Sequence, residues 1–512
     1  MNFGFIIDNR KCIGCHACTV ACKAEHETPL GVNRTWVKYI EKGVFPNTRR
    51  AFSVMRCNHC ANAPCVSICP VTALFTRQDG IVDFDPRRCI GCKACLQACP
   101  YDALYIDPAS HTAAKCNYCA HRVEIGLEPS CVNVCPTQAI ISGDLDDPQS
   151  EIGQLLAREP VQVRKPEKGT EPKLFYIEAD QASLTPGATS SEGSFMWTDP
   201  PPQGVDLAAW RGAVTRHLAE QAAYEMKHQG ARKVLSAPEP HRGSWGRSVS
   251  GYLFTKSIAS GAFMVFAALF VLRPSFDAAG LLPASLLSLA ALALTAFLLV
   301  YKLERRERFL WVLTRPQWRS WLTRGAYLMT AYGALLTLLL GVHLLGVRVP
   351  AWLVMVTLAA ALGTALYSAF LFNQAKGRDL WQSPVLPLHL LAQAVVAGAA
   401  ALALASFFWR GLTGLDAVLL QILAGGLAAN LLALGAEFLS RHPTEDAEAA
   451  AALIVRGRLR HRFWWGVFAS GHLAPIALLS QGLLGPAALL ALAGVFLFED
   501  LFVEAGQDIP LA

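Results

Sequence analysis

The pattern of apolar and polar positions divides this chain into two unlike halves. From residue 251 onward it runs in long apolar stretches broken by short polar loops. Each stretch is close to the roughly 20 residues that cross a bilayer as a helix. Eight can be read: 251–272, 279–301, 326–346, 351–372, 385–408, 415–438, 463–480 and 486–503. A β-barrel is excluded, because its strands would alternate in polarity and be half as long. The first 180 residues contain no such runs. Short β-like segments, such as Ile81–Phe84 and Leu174–Ile177, alternate there with polar loops. Residues 181–250 read as a linker. It holds the Ser/Gly/Thr-rich segment Thr185–Ser194, the run Pro200–Pro202, and a predicted helix from Asp206 to about Gln229. Such a helix needs a surface to pack on, so the linker is expected to lie as a strap across the protein.

Composition sharpens this division. Hydrophobic residues make up 53% of the chain and charged residues only 16%, with a mean hydropathy of +0.33. Those values are too apolar for an ordinary soluble protein. The net charge of +6 is no nucleic-acid signal, because the excess sits in loops between apolar helices. The loop after the second stretch holds Lys302, Arg305, Arg306, Arg308, Arg315, Arg319 and Arg324. Lys376 and Arg378 follow the fourth, and Arg441, Arg456, Arg458, Arg460 and Arg462 follow the sixth. Arg242 and Arg247 precede the first. With eight crossings all of these lie on one side, against Arg273, Arg348 and Arg410 on the other. Positive charge marks the cytoplasmic side, which places the amino-terminal half and the C-terminus there, in the inner membrane of a prokaryote. No signal peptide or twin-arginine segment is visible at the amino end, which agrees.

The chemistry is concentrated in the first half. All sixteen cysteines lie between Cys12 and Cys135, in four groups of four. The first is Cys12, Cys15, Cys18 and Cys22, spaced C-x2-C-x2-C-x3-C. The second is Cys57, Cys60, Cys65 and Cys69. The third is Cys89, Cys92, Cys95 and Cys99, which repeats the first spacing and ends on Pro100. The fourth is Cys116, Cys119, Cys131 and Cys135. Three thiolates in a tight loop and a fourth three residues on suit a 4Fe-4S cluster, and in two-cluster folds that fourth cysteine serves the other cluster. Structural zinc also uses C-x2-C pairs, but not as C-x2-C-x2-C-x3-C-P. Disulfides fit close sets of four thiols poorly. Four 4Fe-4S clusters are therefore expected. Swapping the fourth cysteines gives Cys57, Cys60, Cys65 with Cys99, and Cys89, Cys92, Cys95 with Cys69. The other module would pair Cys12, Cys15, Cys18 with Cys135, and Cys116, Cys119, Cys131 with Cys22. The fold class implied is an α+β double ferredoxin-like domain over 1–180, followed by an all-α membrane domain of eight helices over 251–512.

Both halves resemble a known pairing. Cys99-Pro100-Tyr101-Asp102-Ala103, Lys115-Cys116-x2-Cys119-x-His121-Arg122, Gly143-Asp144-Leu145 and Lys173-Leu174-Phe175-Tyr176 resemble the four-cluster electron-transfer subunits of the polysulfide, dimethyl sulfoxide and nitrite reductase systems. Tyr252-Leu253-Phe254, Arg315-Pro316-x2-Arg319-Ser320-Trp321, Tyr367-x9-Lys376, Trp381-x2-Pro384-x2-Pro387 and Ala505-Gly506-Gln507 resemble the eight-helix membrane subunit of the same systems. Those parts are normally separate chains; here they are fused. The resemblance implies a partner chain carrying a molybdenum or tungsten bis-pterin centre, a quinone-linked oxidoreductase complex, and substrate chemistry on that partner. A cytoplasm-facing sulfite dehydrogenase fits the expected side, and a polysulfide-reductase-like enzyme fits the sequence likeness.

A membrane domain tied to a chain of clusters needs a lipid-soluble electron carrier. Menaquinone or ubiquinone is the natural candidate, and its carbonyl oxygens need donors near the cluster-bearing side. Lys256, Tyr367, His389, Asn430 and Glu437 are the candidate residues, with Asn373, Gln393 and His472 nearby in sequence. Intramembrane polar groups are costly and usually face the bundle interior. Each also has a plainer reading. Lys256 could snorkel to the interface, and a lone histidine could simply tie two helices together. Gln421, Asn430, His472 and Glu499 form a candidate proton path, which would suit an ion-translocating subunit; a passive anchor without quinone is the third reading.

Overall fold

A computed structural model describes residues 1–44, 47–188, 232–235, 244–272, 280–409, 412 and 414–511. The predicted linker helix over 206–229, and Arg242, Arg273 and Arg410, lie outside them. The amino-terminal region combines small sheets with short helices. β1 (Phe3–Asp8) pairs in parallel with β10 (Leu174–Ile177) and antiparallel with β8 (Ile140–Asp144). β9 (Val161–Gln162) closes the sheet beyond β10. Its apolar strand residues, Phe5, Ile7, Ile140, Leu174 and Tyr176, pack in one buried cluster with Cys18 and Cys131. The start, the end and the fourth cysteine group of the domain are thereby fastened together.

Two small hairpins follow cysteine groups two and three. β4 (Leu74–Thr76) pairs with β5 (Val82–Phe84), and β6 (Leu104–Ile106) with β7 (Ala113–Lys115). Each is preceded by a five-residue helix, Pro64–Ile68 or Ala94–Ala98, that carries a cysteine, Cys65 or Cys95. This repetition of cysteine loop, short helix and hairpin is what makes the region a double ferredoxin-like unit. A longer hairpin, β2 (Thr35–Val44) with β3 (Asn47–Arg56), leads from group one to group two. β11 (Arg232–Leu235), from the linker, adds antiparallel to β2. Arg232–Leu235 of the linker therefore lies against the cluster domain.

Eight helices in the second region are long and apolar enough to cross a membrane. They span Arg247–Leu272, Leu281–Tyr301, Trp321–Leu344, Ala351–Gln374, Leu386–Ala405, Asp416–Leu439, Arg462–Ser480 and Leu484–Asp508. The last runs beyond its apolar stretch to Asp508, and its acidic residues Glu499, Asp500 and Glu504 are met by Ser257, Ser250 and Arg462. The first and fifth helices occupy the centre. They cross at Gly261 and Gly398, where a Cβ on Gly261 would sit 1.7 Å from the Ala394 carbonyl oxygen. In lipid, close backbone packing of small residues replaces the hydrophobic drive that joins helices in water.

The cluster domain is seated on one end of this bundle through groups two and three. Ser320 Oγ donates to Ile68 O at 2.7 Å, and Gln317 Nε2 donates to Cys69 O at 3.0 Å. Arg308 Nη1 donates to Cys89 O at 2.9 Å, and Lys93 pairs with Glu304 at 2.6 Å. Buried Arg378 donates to Gln97 Oε1 at 2.8 Å and to the carbonyls of Gln507 and Ile509 at 3.1 Å each. The lysine- and arginine-rich loops and the cluster domain thus share one face.

Candidate relay and membrane cleft

The structure brings the sixteen cysteines into four sets. Cys12, Cys15, Cys18 and Cys135 line one cavity, Cys57, Cys60, Cys65 and Cys99 a second, and Cys69, Cys89, Cys92 and Cys95 a third. Cys22 lies beside Cys116, Cys119 and Cys131. In every set one cysteine comes from a different group than the other three. Backbone direction produces this. Gly14 and Gly91 occupy matching left-handed positions, at φ 70° and 69°, and His16 and Lys93 do so at 62° and 63°. Each loop winds around its cavity, and the next cysteine is carried on the short helix that follows.

The surroundings suit thiolates. Amide groups of Ala73, Ala139 and Ala113 donate to the sulfurs of Cys69, Cys135 and Cys89 at 3.2, 3.2 and 3.4 Å. Arg56 Nη1 approaches Cys131 Sγ at 3.0 Å, and His26 Nε2 lies 3.2 Å from Cys119 Sγ. No three Cys, His, Asp or Glu side chains among the described residues converge on a single-ion site. The sulfurs stand around cavities instead, with inward-facing donors, which is the donor set of a 4Fe-4S cluster. One end of the row is open to solvent: Cys15 is exposed, whereas the cysteines of groups two and three are buried or nearly so.

The other end meets the membrane. A cleft of about 480 Å³ opens among the first four membrane helices and reaches Ile90 and Cys92 of the third cavity's loop. That volume is within the range of small-molecule pockets. Trp245, Tyr252, Tyr367 and Lys302, with the hydroxyl residues Ser248, Thr330 and Thr337, supply the polar groups of a mostly apolar wall. Trp245 Nε1 also donates to Cys92 O at 3.3 Å, so one indole touches both the cleft and the cysteine loop. Tyr367 can lie flat here because the residue facing it is Gly325, where a Cβ would come within 2.3 Å of the ring.

The five polar candidates separate into two places. Tyr367 lines the cleft. Lys256 stands behind it, with Nζ 5.4 Å from the Tyr367 ring centre, donating to Ala365 O at 2.9 Å and Ser368 Oγ at 3.0 Å. It is fully buried and does not snorkel. His389, Glu437 and Asn430 do not line the cleft. His389 Nδ1 meets Glu437 Oε2 at 2.6 Å, and its Nε2 faces Gln393 at 3.3 Å. Asn430 Nδ2 bonds His472 Nε2 at 2.9 Å. These pairs tie the fifth, sixth and seventh helices together, because an unpaired polar group in lipid is more costly than a paired one, although Gln393 Oε1, Asn430 Oδ1 and Glu437 Oε1 keep no partner among the described residues. Gln421 is exposed and is not joined to Asn430, His472 or Glu499 as the expected path would need. Trp245 and Tyr252 were not among the sequence candidates. Tyr252 sits one turn before Lys256, so the rule that selected Lys256 reaches it as well.

Three family comparisons bear on this arrangement. A 4Fe-4S dicluster domain matches residues 49–145, and a 4Fe-4S binding domain matches residues 10–25. The polysulphide reductase NrfD family matches residues 236–510, more than half of the protein. The protein belongs to the polysulphide reductase NrfD family. Its amino-terminal region is similar to a tetrathionate reductase subunit of Salmonella typhimurium, 46% identical over 188 residues, which are 36% of this protein and 75% of the relative. It is also similar to a polysulfide reductase chain of Wolinella succinogenes, 43% identical over 180 residues, 34% of this protein and 93% of the relative. Protein NrfC of Escherichia coli is 42% identical over 180 residues, 35% of this protein and 81% of the relative. The protein is thus an iron–sulfur electron-transfer region joined in a single polypeptide to an NrfD membrane region, and it is a multi-pass membrane protein.

Proposed function

We propose that this chain is the electron-transfer and membrane-anchor subunit of a quinone-linked molybdopterin oxidoreductase complex. The observation that carries the reading is continuity: four sets of four cysteines lead from a solvent-exposed end to a cleft in the membrane. The four sets would each hold a 4Fe-4S cluster, which when bound carries one electron at a time. The cysteine sulfurs ligate, the backbone amides donate to them, and the docking contacts at Arg308, Gln317, Ser320 and Arg378 keep the third set against the cleft. Tyr367 and Tyr252 supply hydroxyls for a quinone carbonyl, and the apolar wall accepts its ring and tail. Trp245 fixes the loop of Cys92 at the cleft edge.

The catalytic partner, carrying a bis-pterin metal centre, docks at the distal end. Ile13, Val20 and Leu30, on or just after the segment of group one that holds exposed Cys15, and Ile125 and Leu127, in the segment of group four, are exposed apolar residues. Exposed apolar surface of this kind marks a contact with another protein. The arginine-rich face supports a cytoplasmic position for the cluster domain. Substrate chemistry takes place on the partner. The names of the tetrathionate and polysulfide reductase relatives favour a sulfur compound, and the cytoplasmic side favours oxidation of sulfite.

The deciding experiment is reduction of the purified protein by a quinol analogue, followed by cluster absorbance and low-temperature paramagnetic resonance. Reduction should occur, with about sixteen irons per polypeptide. Iron-replete protein that no quinol analogue reduces would leave a passive anchor. Reduction accompanied by ion uptake into proteoliposomes would favour the ion-translocating reading.

A further inference from the structure

Arg56, the last residue of β3, is fully buried, with its guanidinium carbon 4.5 Å above the ring of Phe5. Nη1 donates to Cys131 Sγ at 3.0 Å, while Nε and Nη2 have no hydrogen-bond partner. The sulfur groups facing it are Cys131, Cys116 and Cys18, with Cys22 nearby. No carboxylate pairs with it among the described residues. A buried guanidinium without a counter-charge is expensive. Its compensation must come from the thiolates and whatever they hold. Lys115 repeats the arrangement one step along the row. It is fully buried, and Nζ donates to Cys116 O at 2.8 Å and to Val82 O. It stands between Cys116 and Cys57. Two fixed cations therefore occupy successive joints of the relay, where Cys18 and Cys131 meet and where Cys116 and Cys57 meet.

We propose that Arg56 is a potential-setting residue, holding up the midpoint potential of the cluster ligated by Cys22, Cys116, Cys119 and Cys131. The inference rests on the four-cluster reading above. Its physics is charge. Reduction adds one negative charge to a cluster in a low-dielectric interior, where burial alone opposes that charge. A guanidinium hydrogen-bonded to a ligand sulfur stabilises the reduced form more than the oxidised one, so the electron is held more tightly. Arg56 and Lys115 together keep the interior of the row from becoming an uphill barrier between the exposed end and the membrane end.

The test is a potentiometric titration of the intact protein in detergent, followed by paramagnetic resonance. Arg56→Gln should lower one midpoint by at least about tenfold in the reduction equilibrium, ~59 mV for one electron. Arg56→Lys, which keeps the charge, should restore most of it, and Lys115→Gln should lower the same centre or its neighbour. All midpoints unchanged in Arg56→Gln with four centres present, or an equal fall in Arg56→Lys, would overturn the proposal. Should the variants lose the cluster, the unsubstituted protein still decides. With arginine labelled in nitrogen-15, one centre shows coupling to the guanidinium, and it must not be the lowest-potential centre of the four. If it is, the proposal fails. Protein that never shows four centres overturns the parent reading instead.

Discussion

Replacing Arg378 by glutamine should uncouple the two halves of the protein. The residue lies between the fourth and fifth membrane helices, almost fully buried, where burial lowers its pKa to about 10. It donates to Gln97 beside the third cavity and to the Gln507 and Ile509 carbonyls at the C-terminal end. A hydrogen bond from a charged donor contributes about 1.5–3 kcal/mol, and each buried acceptor left bare costs about 1–3 kcal/mol. Two of the three bonds share Nη1 and are not independent. Only the bond to Gln97 joins the two halves, since Gln507 and Ile509 belong to the membrane region themselves, so its loss costs about 1.5–3 kcal/mol of docking free energy. At about 1.4 kcal/mol per power of ten, the seated arrangement loses about one to two powers of ten against the unseated one. Other ties, among them Gln97 to Gln507 at 2.9 Å, Ser320 to Ile68 at 2.7 Å and Arg308 to Cys89 at 2.9 Å, keep the domain tethered. Stopped-flow reduction by a quinol analogue should slow by at least tenfold, while dithionite reduces all clusters as in the unsubstituted protein. Arg378→Lys should fall between, because lysine keeps the charge without the planar fork. Quinol-driven reduction at the original rate, with an unchanged thermal midpoint, would show that the Arg378–Gln97 bond does not hold the halves together.

Gly333→Trp, which fills the cleft from the third helix, should abolish quinol-driven reduction but leave iron content unchanged. Tyr367→Phe should slow the same step several-fold, measured at saturating quinol, because only a hydroxyl is removed. Glu437→Ala strands the buried His389 Nδ1 and should destabilise the bundle by about 1–3 kcal/mol, read from the thermal midpoint, with the quinol Michaelis constant unmoved. Gly261→Leu drives a side chain into the Ala394 carbonyl and should prevent accumulation of folded protein in the membrane, scored by yield after extraction.

The halves were legible to different depths. Cysteine spacing is local, so groups one and three could be written down from C-x2-C-x2-C-x3-C, and groups two and four, which carry insertions after their second cysteine, from the C-x2-C and C-x3-C pairs they keep. The apolar runs were legible for the same reason, since a bilayer imposes a length on each helix separately. The pocket was not. Tyr367 and His389 look alike in sequence, each a polar residue within an apolar helix near the same end. What separates them is the partner each meets: Glu437 satisfies His389 from another helix, while Gly325 leaves the Tyr367 ring facing a cavity. The charge bias was also ambiguous from sequence. Arg308 and Arg378 belong to the positive face, yet both are used to dock the cluster domain.

Taken alone, the order of amino acids determined that sixteen sulfurs form four local ligand groups and that eight segments must lie in lipid. Both follow from constraints that act within about twenty neighbouring residues. Folding in three dimensions decided which group faces the membrane, where the cleft opens, and that Arg56 and Lys115 are buried between the groups. Those outcomes depend on contacts between residues far apart in sequence, such as Gln97 with Gln507, and no local spacing encodes them.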